Sequence, residues 1–496
     1  MAAKHPRLED RFGRIAAALG AGALAAAGQA PVNWGLPTFL GLMAAAWLFL
    51  AQPTAKRSFR TGWLFSAAYF AVALHWIVEP FLVYPASTGW MAPFALVGLA
   101  AGLGLIWALA WRIAFVAGQS ALIWALMMTL AELIRAYLFT GFPWAMPSYA
   151  WVNSVAAQLG GYVGPHGLNL ILFLSAGIMV QGLRNAKRVT WTYRAGLGLV
   201  VAISILPMPG APRKNEGGPL VRLIQPNAPQ HEKWAPDKVK LFFDRQISLS
   251  AEPGSPDVII WPETAVSFPI PYADRSFSEM SKAANGATVI TGIQRIEGSH
   301  TYNSMAVLDP EGQVQDVYDK HHLVPFGEYI PLGEWLLQFG ISGLAARDGV
   351  GYARGQGATV LNIDKLGPIL TLICYEVVFP QDLRTATRPT LLLQITNDAW
   401  FGKFSGPFQH LAQARMRAIE TGLPMLRVAN TGVTAVIDAH GRVIDSIPLG
   451  QFGKLDTRLP EPRAATPYAR SGDLPLTLLL IALVALSAYR LRRNSN

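Results

Sequence analysis

The sequence predicts an α-helical membrane bundle of about eight transmembrane helices joined to one layered α/β domain. Of the 496 residues, 52% are hydrophobic and only 15% are charged, whereas a soluble chain of this length carries more charge on its surface. The hydrophobic residues crowd into positions 1–210 and 472–491, and positions 219–462 have the mixed texture of strands and helices. We therefore expect seven helices of the bundle before the α/β domain and one after it.

The candidate spans are long apolar runs, because the bilayer core requires about 20 mostly apolar residues per helix. They lie at 15–30, 35–52, 61–78, 91–111, 119–138, 166–183, 194–208 and 474–490. The first run is short, rich in Ala and Gly and preceded by basic residues, so it also fits a cleaved signal peptide. Because further hydrophobic segments follow at once, we predict that it is an uncleaved span.

Basic residues between the spans predict the orientation of the bundle, since Lys and Arg are enriched in cytoplasmic loops. Counting the spans in order places these basic residues on one side: Lys4, Arg7, Arg11, Arg14, Lys56, Arg57, Arg60, Arg112, Arg184, Lys187, Arg188, Arg194, Arg490, Arg492 and Arg493. We therefore expect both termini in the cytoplasm and the α/β domain on the opposite side. The net charge of +10 lies mainly between hydrophobic runs and forms no single basic face, so no nucleic-acid partner is expected.

Glu132 and Arg135 are two charged residues near the outer end of the fifth span. Charged groups within membrane helices often mark functional sites. The alternative is a plain ion pair across one helical turn at the membrane interface. The sequence leaves both hypotheses open.

The segment after the seventh span begins with a linker, Pro207–Gly218, and then alternates short β-branched runs with amphipathic stretches. The predicted strands are Leu220–Gln225, Asp257–Trp261, Ala287–Gln294, Ser304–Asp309, Val314–Tyr318, Pro368–Ile373, Leu391–Thr396, Leu426–Ala429 and Thr434–Asp438. The predicted helices are 236–250, 275–285, 380–387 and 406–421. Turn sequences at Asp309–Gly312 and Asp438–Gly441 each fit a hairpin. This mixture predicts one layered α/β domain.

Three polar residues follow predicted strands in this domain: Glu263, Lys320 and Cys374. Each alone has a plain explanation, because a carboxylate or a lysine after a strand is usually a surface charge and a lone cysteine is usually a small buried hydrophobe. Cys374 is the only cysteine, so it has no disulfide partner within the chain. A free thiol in an exported domain calls for a further reason.

Taken together, these three residues, in this order and at these spacings, resemble the carbon–nitrogen hydrolase (nitrilase) superfamily. The resemblance covers about 220–460 and extends to the segments Asn397–Gly402 and Arg427–Gly432. It implies a Glu–Lys–Cys triad on a four-layer αββα sandwich.

The many spans narrow this resemblance, since the whole chain is similar to the apolipoprotein N-acyltransferase family. The segment Gln225–Gln230, followed by Lys233 and Trp234, resembles that family's entry into the domain. The resemblance implies a multi-pass protein of the bacterial inner membrane with a periplasmic catalytic domain. Its implied partners are a phospholipid acyl donor and a diacylglyceryl apolipoprotein acceptor, and no cofactor is expected.

The triad suits acyl transfer through a thioester on Cys374. A thiol has a reference pKa of about 8.5 and a carboxylate about 4.3, so Glu263 would be a poor base in water. Burial raises the pKa of a carboxylate and the Lys320 cation favours a thiolate, so we expect both effects to close this gap. The thiolate would attack a phospholipid ester, and the apolipoprotein amine would then attack the thioester.

Further residues are expected to support the triad. Lys320 and the backbone N–H of Tyr375 are candidates for binding the oxyanion. The resemblance implies that Glu328 orients Lys320 or shares its protons, and that Tyr375 and Glu376 fix the turn carrying the nucleophile. Trp234 is either a lipid or substrate contact or an ordinary core residue.

Two neighbouring features of the sequence carry further expectations. The apolar stretch 331–344 is either a core helix or, as we predict, a mobile arm that enters the membrane interface beside the lysine segment. His321 and His322 suggest a metal, but adjacent side chains on a strand point to opposite faces and no further ligand spacing supports one. We therefore predict no metal.

Two other functions remain open at this point. A membrane-anchored amidase or nitrilase acting on a small C–N substrate would use the same triad, although one span would suffice to anchor it. A transporter with an exported binding domain would retain its function after Cys374→Ala, whereas either enzyme would lose nearly all activity. The sequence does not reveal the preferred phospholipid or the oligomeric state.

Overall fold

The computed structural model describes residues 8–184, 196, 198, 202–204, 206–210, 217–331, 338 and 351–495. The chain forms two compact units, one of residues Met1–Pro209 with Ser471–Asn496 and the other of residues Gly210–Arg470. The predicted arm at 331–344 lies mostly outside the described residues, and so do seven of the 15 residues of the predicted seventh span at 194–208.

The first unit is helical in its described part. Its helices are α1 (Leu8–Ala26), α2 (Gly35–Leu50), α3 (Ala55–Ala73), the short α4 (Glu79–Leu82) and α5 (Pro85–Thr88), α6 (Ala92–Val116), α7 (Ala121–Tyr137) and α8 (Gly160–Arg184). The side chains of Thr54 and Ser120 cap α3 and α7 by accepting hydrogen bonds from the first turn. Small residues allow close packing: a Cβ on Gly41 would lie 2.4 Å from the backbone nitrogen of Ala25.

Two helical stretches of this unit are long and apolar enough to cross a membrane, Pro85–Val116 and Val155–Arg184. A third is possible if Ala55–Ala73 and His75–Leu82, which meet at a bend of 64°, count as one span. Shorter apolar helices are Phe12–Ala26, Gly35–Leu50 and Leu474–Leu486. The described helices thus coincide with most of the predicted spans, and the number eight stays a prediction.

Glu132 and Arg135 form an ion pair across one turn of α7, with Arg135 Nη2 2.6 Å from Glu132 Oε2. Both side chains are almost fully buried inside the helical unit. Glu132 also accepts a hydrogen bond of 2.8 Å from Trp107 Nε1, and Arg135 donates one of 2.7 Å to the carbonyl of Trp144. The plain ion pair is therefore present, and further buried partners surround it.

The second unit is an α/β sandwich of two six-stranded sheets, as the resemblance implies. One sheet has the order β12-β1-β2-β3-β4-β5 and the other β11-β10-β9-β8-β7-β6. The strands are β1 (Leu220–Gln225), β2 (Val258–Ile260), β3 (Thr288–Glu297), β4 (His300–Leu308), β5 (Val314–Asp319), β6 (Val360–Ile363), β7 (Gly367–Ile373), β8 (Leu391–Thr396), β9 (Met425–Ala429), β10 (Thr434–Ile437), β11 (Val443–Ile447) and β12 (Gly453–Arg458).

Helices cover the outer faces of both sheets. The remaining helices are α9 (Val239–Ala251), α10 (Asp274–Ala284), α11 (Gly406–Thr421), the short α12 (Pro467–Ser471) and, in the helical unit, α13 (Leu474–Ser495). Ile259 and Val289 of the first sheet lie in one buried cluster with Leu249 of α9 and Phe277 of α10. Helix α11 contacts the second sheet at β9, and β1 contacts β9 and β10 across the sandwich. The core therefore lies between the sheets and beneath these helices.

All nine predicted strands are present, and both predicted hairpins join antiparallel neighbours. The strands β6, β11 and β12 were missed. Each lies at the edge of its sheet, where the half-exposed residues lack the apolar alternation that marks a strand. The predicted helix at 380–387 is only a 3₁₀ turn, Pro380–Leu383, because Pro380 leads into an irregular segment.

Candidate active site

The ends of three strands place the predicted triad in one buried cluster. Glu263 follows β2, Lys320 follows β5, and Cys374 follows β7 of the facing sheet. The Nζ of Lys320 lies 3.6 Å from Glu263 Oε1, and the charges of Glu263 and Lys320 both act on the Cys374 thiol. Each of the three residues is less than a tenth exposed. The structure thus brings together all three candidate catalytic residues.

Lys320 is held between two carboxylates. Its Nζ donates a hydrogen bond of 2.8 Å to Glu328 Oε1, and the other oxygen of Glu328 accepts one of 2.8 Å from the backbone N–H of Val324. Burial alone would lower the pKa of Lys320, but the carboxylates of Glu328 and Glu263 outweigh burial and raise it. Lys320 therefore remains a cation in the site.

Asn303 is a site residue that the sequence analysis missed. From β4, its Nδ2 donates to Glu263 Oε1 at 2.7 Å and to Glu328 Oε1 at 3.0 Å, so one amide bridges both carboxylates. Its backbone carbonyl accepts from the N–H of Lys320 at 2.9 Å. An uncharged residue within a strand gives no functional signal in the sequence. Asn303 reaches the site only because β4 pairs with β5, the strand that precedes Lys320.

Cys374 opens a tight 3₁₀ turn, Cys374–Val378, directly after β7. Its φ of 51° is left-handed, a conformation that L-residues with a Cβ rarely adopt. Glu376 closes the turn, because its Oε2 accepts from the N–H of Ile373 at 2.7 Å and its Oε1 accepts from the N–H of His321 at 2.7 Å. The Tyr375 ring is buried and packs edge-on against Phe379, with centroids 5.0 Å apart. The turn is therefore tied to the chain just after Lys320.

The protonation of the pair differs from the expectation. Burial raises the pKa of Glu263, which makes it a better base, as expected. Burial also raises the pKa of the Cys374 thiol, the Glu263 carboxylate adds to this rise, and Lys320 only partly opposes it. The expectation that Lys320 would close the gap from the thiol side was wrong, because removing the thiolate from water costs more than one cation returns. The resting nucleophile is a thiol, and its proton has to leave as the new bond forms.

Trp234 lies at an apolar cleft and is not a core residue, since 40% of it is exposed. It lines this cleft together with Val239, Phe242 and Phe243. The Nζ of Lys233 lies 5.1 Å from the centre of the Trp234 ring and donates to the backbone carbonyl of Glu263 at 3.1 Å. Burial lowers the pKa of Lys233 to about 8, and the charge of Glu263 opposes that change. Lys233 thus connects an exposed aromatic ring to the backbone of Glu263.

The two further motifs of the resemblance meet behind the site. Asn430 Nδ2 donates to Asn397 Oδ1 at 2.8 Å, and Asn397 Nδ2 donates to Gln230 Oε1 at 2.7 Å. Asn430 Oδ1 accepts from the N–H of Ala228 at 3.2 Å. The two asparagines therefore hold the segment that leads into Lys233.

His321, His322 and Asp382 are described residues that could hold a metal, with their ligand atoms within 4.8 Å of one another. The expectation that the two rings point apart was wrong, because both follow the end of β5 and turn toward one oxygen. His321 Nε2 lies 3.1 Å, and His322 Nδ1 2.5 Å, from Asp382 Oδ2. The absence of a metal stays a prediction, and hydrogen bonds to Asp382 account for both rings.

Comparison with known proteins agrees with both parts of the chain. Residues 221–455 match the carbon-nitrogen hydrolase family, and residues 21–178 match the apolipoprotein N-acyltransferase N-terminal domain. The chain is 35% identical over 522 residues to an apolipoprotein N-acyltransferase of Rhodopseudomonas palustris, covering 97% of this chain and 95% of that one. It is 34% identical over 528 residues to the enzyme of Caulobacter vibrioides, covering 97% and 96%.

A solved structure is also similar to part of the chain. It is a CN-hydrolase superfamily protein of Xanthomonas campestris, 21% identical, with a TM-score of 0.36 over 53% of this chain and 97% of that one.

Proposed function

Because the chain belongs to the apolipoprotein N-acyltransferase family and has that family's activity, we propose that it works through a thioester on Cys374. In this proposal an acyl chain passes from a membrane phospholipid to Cys374, and then to the α-amino group of the diacylglyceryl cysteine of an apolipoprotein. The observation that carries it is the buried cluster in which Lys320 lies 3.6 Å from Glu263 and both act on the only cysteine of the chain.

In the first half-reaction, Cys374 Sγ attacks the ester carbonyl of the phospholipid while its proton passes to Glu263. The tetrahedral oxyanion is bound by Lys320 and by the backbone N–H of Tyr375. When the C–O bond breaks, Glu263 returns the proton to the leaving oxygen, and a lysophospholipid departs. The raised pKa of Glu263 supports this order because it makes the carboxylate a better base, and the raised pKa of Cys374 means that the thiol proton leaves as the new bond forms.

In the second half-reaction, the neutral amine of the apolipoprotein attacks the thioester carbonyl. An α-amino group has a pKa of about 7.7–8.0, so an appreciable neutral fraction is present near pH 7. Glu263 takes a proton from the attacking nitrogen, the C–S bond breaks, and the proton passes to Cys374 Sγ. Glu328 and Asn303 keep Lys320 and Glu263 in place through both steps, and Glu376 and Tyr375 support the nucleophile turn.

The chain is a membrane protein with several candidate spans. We further propose eight transmembrane helices in the bacterial inner membrane, with both termini cytoplasmic and the catalytic domain, 219–462, in the periplasm. The basic loops of the sequence support this orientation. The exposed Trp234 supports a role in contacting lipid or acceptor, because an aromatic ring at an apolar cleft suits an acyl chain.

The experiment is an intact-mass measurement of purified full-length protein after incubation with dipalmitoyl phospholipid, beside Cys374→Ala. We expect one added acyl mass on the wild type alone, removable by neutral hydroxylamine or by a diacylated lipopeptide. A folded wild type that acquires no adduct but hydrolyses small amides would instead support the amidase alternative.

A further inference from the structure

The carbonyl oxygen of Cys374 faces two polar side chains that come from different elements. Gln394 Nε2, on β8, lies 3.0 Å from this oxygen, and His410 Nε2, on α11, lies 3.1 Å from it. Both side chains are fully buried. Gln394 Nε2 donates to this oxygen, and it also lies 3.2 Å from His410 Nε2. Burial lowers the pKa of His410, and its Nδ1 faces the Asp398 carboxylate, so the neutral ring donates from Nδ1 and its Nε2 accepts the second hydrogen of the Gln394 amide. The Cys374 carbonyl is therefore held by Gln394, and His410 holds Gln394.

This carbonyl belongs to the same peptide plane as the backbone N–H of Tyr375. In a planar trans peptide, the C=O and the N–H point in opposite directions. The hydrogen bond from Gln394 to the Cys374 carbonyl therefore also fixes the direction of the Tyr375 N–H, one of the two donors proposed for the oxyanion. Fixing this plane requires outside partners, because the left-handed φ of 51° at Cys374 is not a conformation the chain prefers by itself.

Arg427 sets the direction in which the Gln394 amide points. Its Nη1 donates to Gln394 Oε1 at 2.6 Å, so the amide oxygen faces the guanidinium and the amide nitrogen faces Cys374. Arg427 is itself fully buried on β9, and its Nε donates to the carbonyl of Val433 at 3.2 Å. The amide of Gln394 therefore has one satisfied orientation, and a flip would place two donors together.

Asp398 sets the direction of the His410 ring. Asp398 Oδ1 lies 2.9 Å from His410 Nδ1, which leaves Nε2 facing the Gln394 amide. The same carboxylate accepts from Thr396 Oγ1 at 3.0 Å and from Arg427 Nη2. Arg427 thus orients both side chains, Gln394 directly and His410 through Asp398.

The two sequence segments that supply Asp398 and Arg427 are in tight contact with each other. Asp398 lies in the segment Asn397–Gly402, and Arg427 begins the segment Arg427–Gly432. A Cβ on Gly432 would lie 2.5 Å from Asp398 Oδ2, and the φ of Gly432 is +135°. Only a glycine leaves room for the carboxylate there.

We propose that Gln394 and His410, oriented by Arg427 and Asp398, are positioning residues that aim the Tyr375 N–H at the oxyanion. This inference rests on the proposed function, because it takes Cys374 as the nucleophile. The network touches the backbone of the nucleophile and no reacting atom. It acts on the formation of the tetrahedral intermediate, in both acylation and transfer to the amine, and not on the binding of the phospholipid.

The test uses full-length protein in detergent with equal parts of dipalmitoyl phosphatidylethanolamine and dipalmitoyl phosphatidylglycerol. His410→Phe keeps a buried ring but removes the acceptor that holds the Gln394 amide, and His410→Gln supplies an amide oxygen as an acceptor in its place. Gln394→Met has a similar length and removes the donor itself. For each protein, the single-turnover rate of acyl-enzyme formation and its dependence on phospholipid concentration are measured by intact mass.

Alkylation of Cys374 by iodoacetamide distinguishes a positioning role from a merely structural one. This displacement forms no oxyanion, and the only cysteine of the chain is Cys374, so its rate reports the position and reactivity of the thiol alone. We expect His410→Phe and Gln394→Met to form the acyl-enzyme about 100-fold more slowly, as for a lost oxyanion donor. Half-saturation by phospholipid and the alkylation rate should stay near wild type, and His410→Gln should recover most of the acylation rate.

Wild-type acylation rates in both His410→Phe and Gln394→Met would overturn the proposal. An equal fall in acylation and alkylation would also overturn it, because the network would then support the whole turn without orienting the Tyr375 N–H. If neither of these two variants folds, the cluster is a structural core and the proposal also fails. A wild type without any acyl adduct contradicts the proposed function itself, which separates the two failures.

Discussion

One amide nitrogen bridges the two carboxylates of the site. Asn303 Nδ2 has two hydrogens and uses one for Glu263 and the other for Glu328, at 2.7 and 3.0 Å. Its hydrogen bond lowers the pKa of Glu263, opposing the larger rise caused by burial. Asn303 therefore helps to keep the pKa of Glu263 low enough for this carboxylate to be ionised near neutral pH.

Replacing Asn303 by Leu should shift the acidic limb of the pH–rate profile upward. Without the amide, the carboxylate form of Glu263 loses a donor, its pKa rises further, and a smaller fraction is ionised at pH 7. We expect acyl-enzyme formation to be about 10-fold slower at pH 7 and to recover partly at higher pH, since each unit of pKa is a factor of ten in the ionised fraction. The rate of acylation is measured from pH 5 to 9.

Asn362→Leu is the matched control, because Asn362 is an exposed strand residue of the same type on β6. It should leave the profile unchanged. A uniform loss of rate at every pH in Asn303→Leu would show that the amide supports the fold without tuning Glu263.

The strand ends made the triad predictable, whereas its supporting residues depended on tertiary contacts. Glu263 and Cys374 each follow an apolar run, and Lys320 follows a predicted strand, which are positions that sequence patterns reveal. Asn303 lies within a strand, and His410 lies on a helix far along the chain, so neither has a local signal. The raised pKa of the thiol was also unpredictable, because it depends on burial and not on the residues nearby in sequence.

At the scale of elements, the turn after β5 and the turn after β7 are joined through His321. Its ring lies between two carboxylates, 2.6 Å from Glu376 Oε1 and 3.1 Å from Asp382 Oδ2. Although burial opposes the charge, the hydrogen bonds to Asp382 and Glu376 raise the pKa of His321 to about 9. Hydrogen bonds from His321 and His322 lower the pKa of Asp382 to about 2, again against the effect of burial.

The contribution of His321 to stability should depend on pH with a defined sign. A histidine whose pKa is raised on folding stabilises fully below its unfolded pKa of about 6.5, and that contribution is lost as pH rises through about 9. The contribution of Asp382 is complete above about 3.9 and is lost as pH falls toward 2. We therefore expect His321→Gln to lower the unfolding temperature most between pH 4 and 6.5, and least near pH 10.

Thermal unfolding at pH 6 and pH 10 tests this expectation, with His300→Gln as a control at an exposed histidine. Tyr318, whose hydroxyl donates to Glu376 at 2.9 Å, and His322 also face this cluster and stay unchanged in both variants. An equal loss of stability at both pH values would contradict a charged His321.

Gly432, in the turn between β9 and β10, allows two motifs to approach each other. Gly432→Ala should destabilise the α/β unit, because the added Cβ would lie 2.5 Å from Asp398 Oδ2 and the φ of +135° is unfavourable for alanine. Gly450→Ala is the matched control, since Gly450 has a φ of +82° but nothing within 4 Å of the added Cβ. Unfolding in urea should show a loss of about 1–3 kcal/mol beyond that of the control. Equal losses in the two variants would assign the effect to backbone strain alone.

At the scale of the whole molecule, composition predicted the division into an apolar helical part and an α/β sandwich. The period of the hydrophobic residues located the helices and the central strands, because buried elements leave a regular pattern. Edge strands such as β11 and β12 were missed, since one side of each faces solvent or loops and the pattern is weak. The burial of Glu132 and Arg135 could not be predicted either, because it depends on which helices surround α7.

The buried pair Glu132–Arg135 offers a test of how charge is tolerated inside the helical unit. Removing one partner leaves an uncompensated buried charge, which typically costs about 3–5 kcal/mol, whereas removing both leaves none. We therefore expect Glu132→Gln or Arg135→Gln alone to lower the unfolding temperature in detergent strongly, and the double variant to be more stable than the worse single one. Arg112→Gln is the control, because Arg112 is an exposed arginine on the neighbouring helix α6. Additive losses in the double variant would show instead that the hydrogen bonds to Trp107 and to the carbonyl of Trp144, and not the pairing of charges, stabilise this part of the unit.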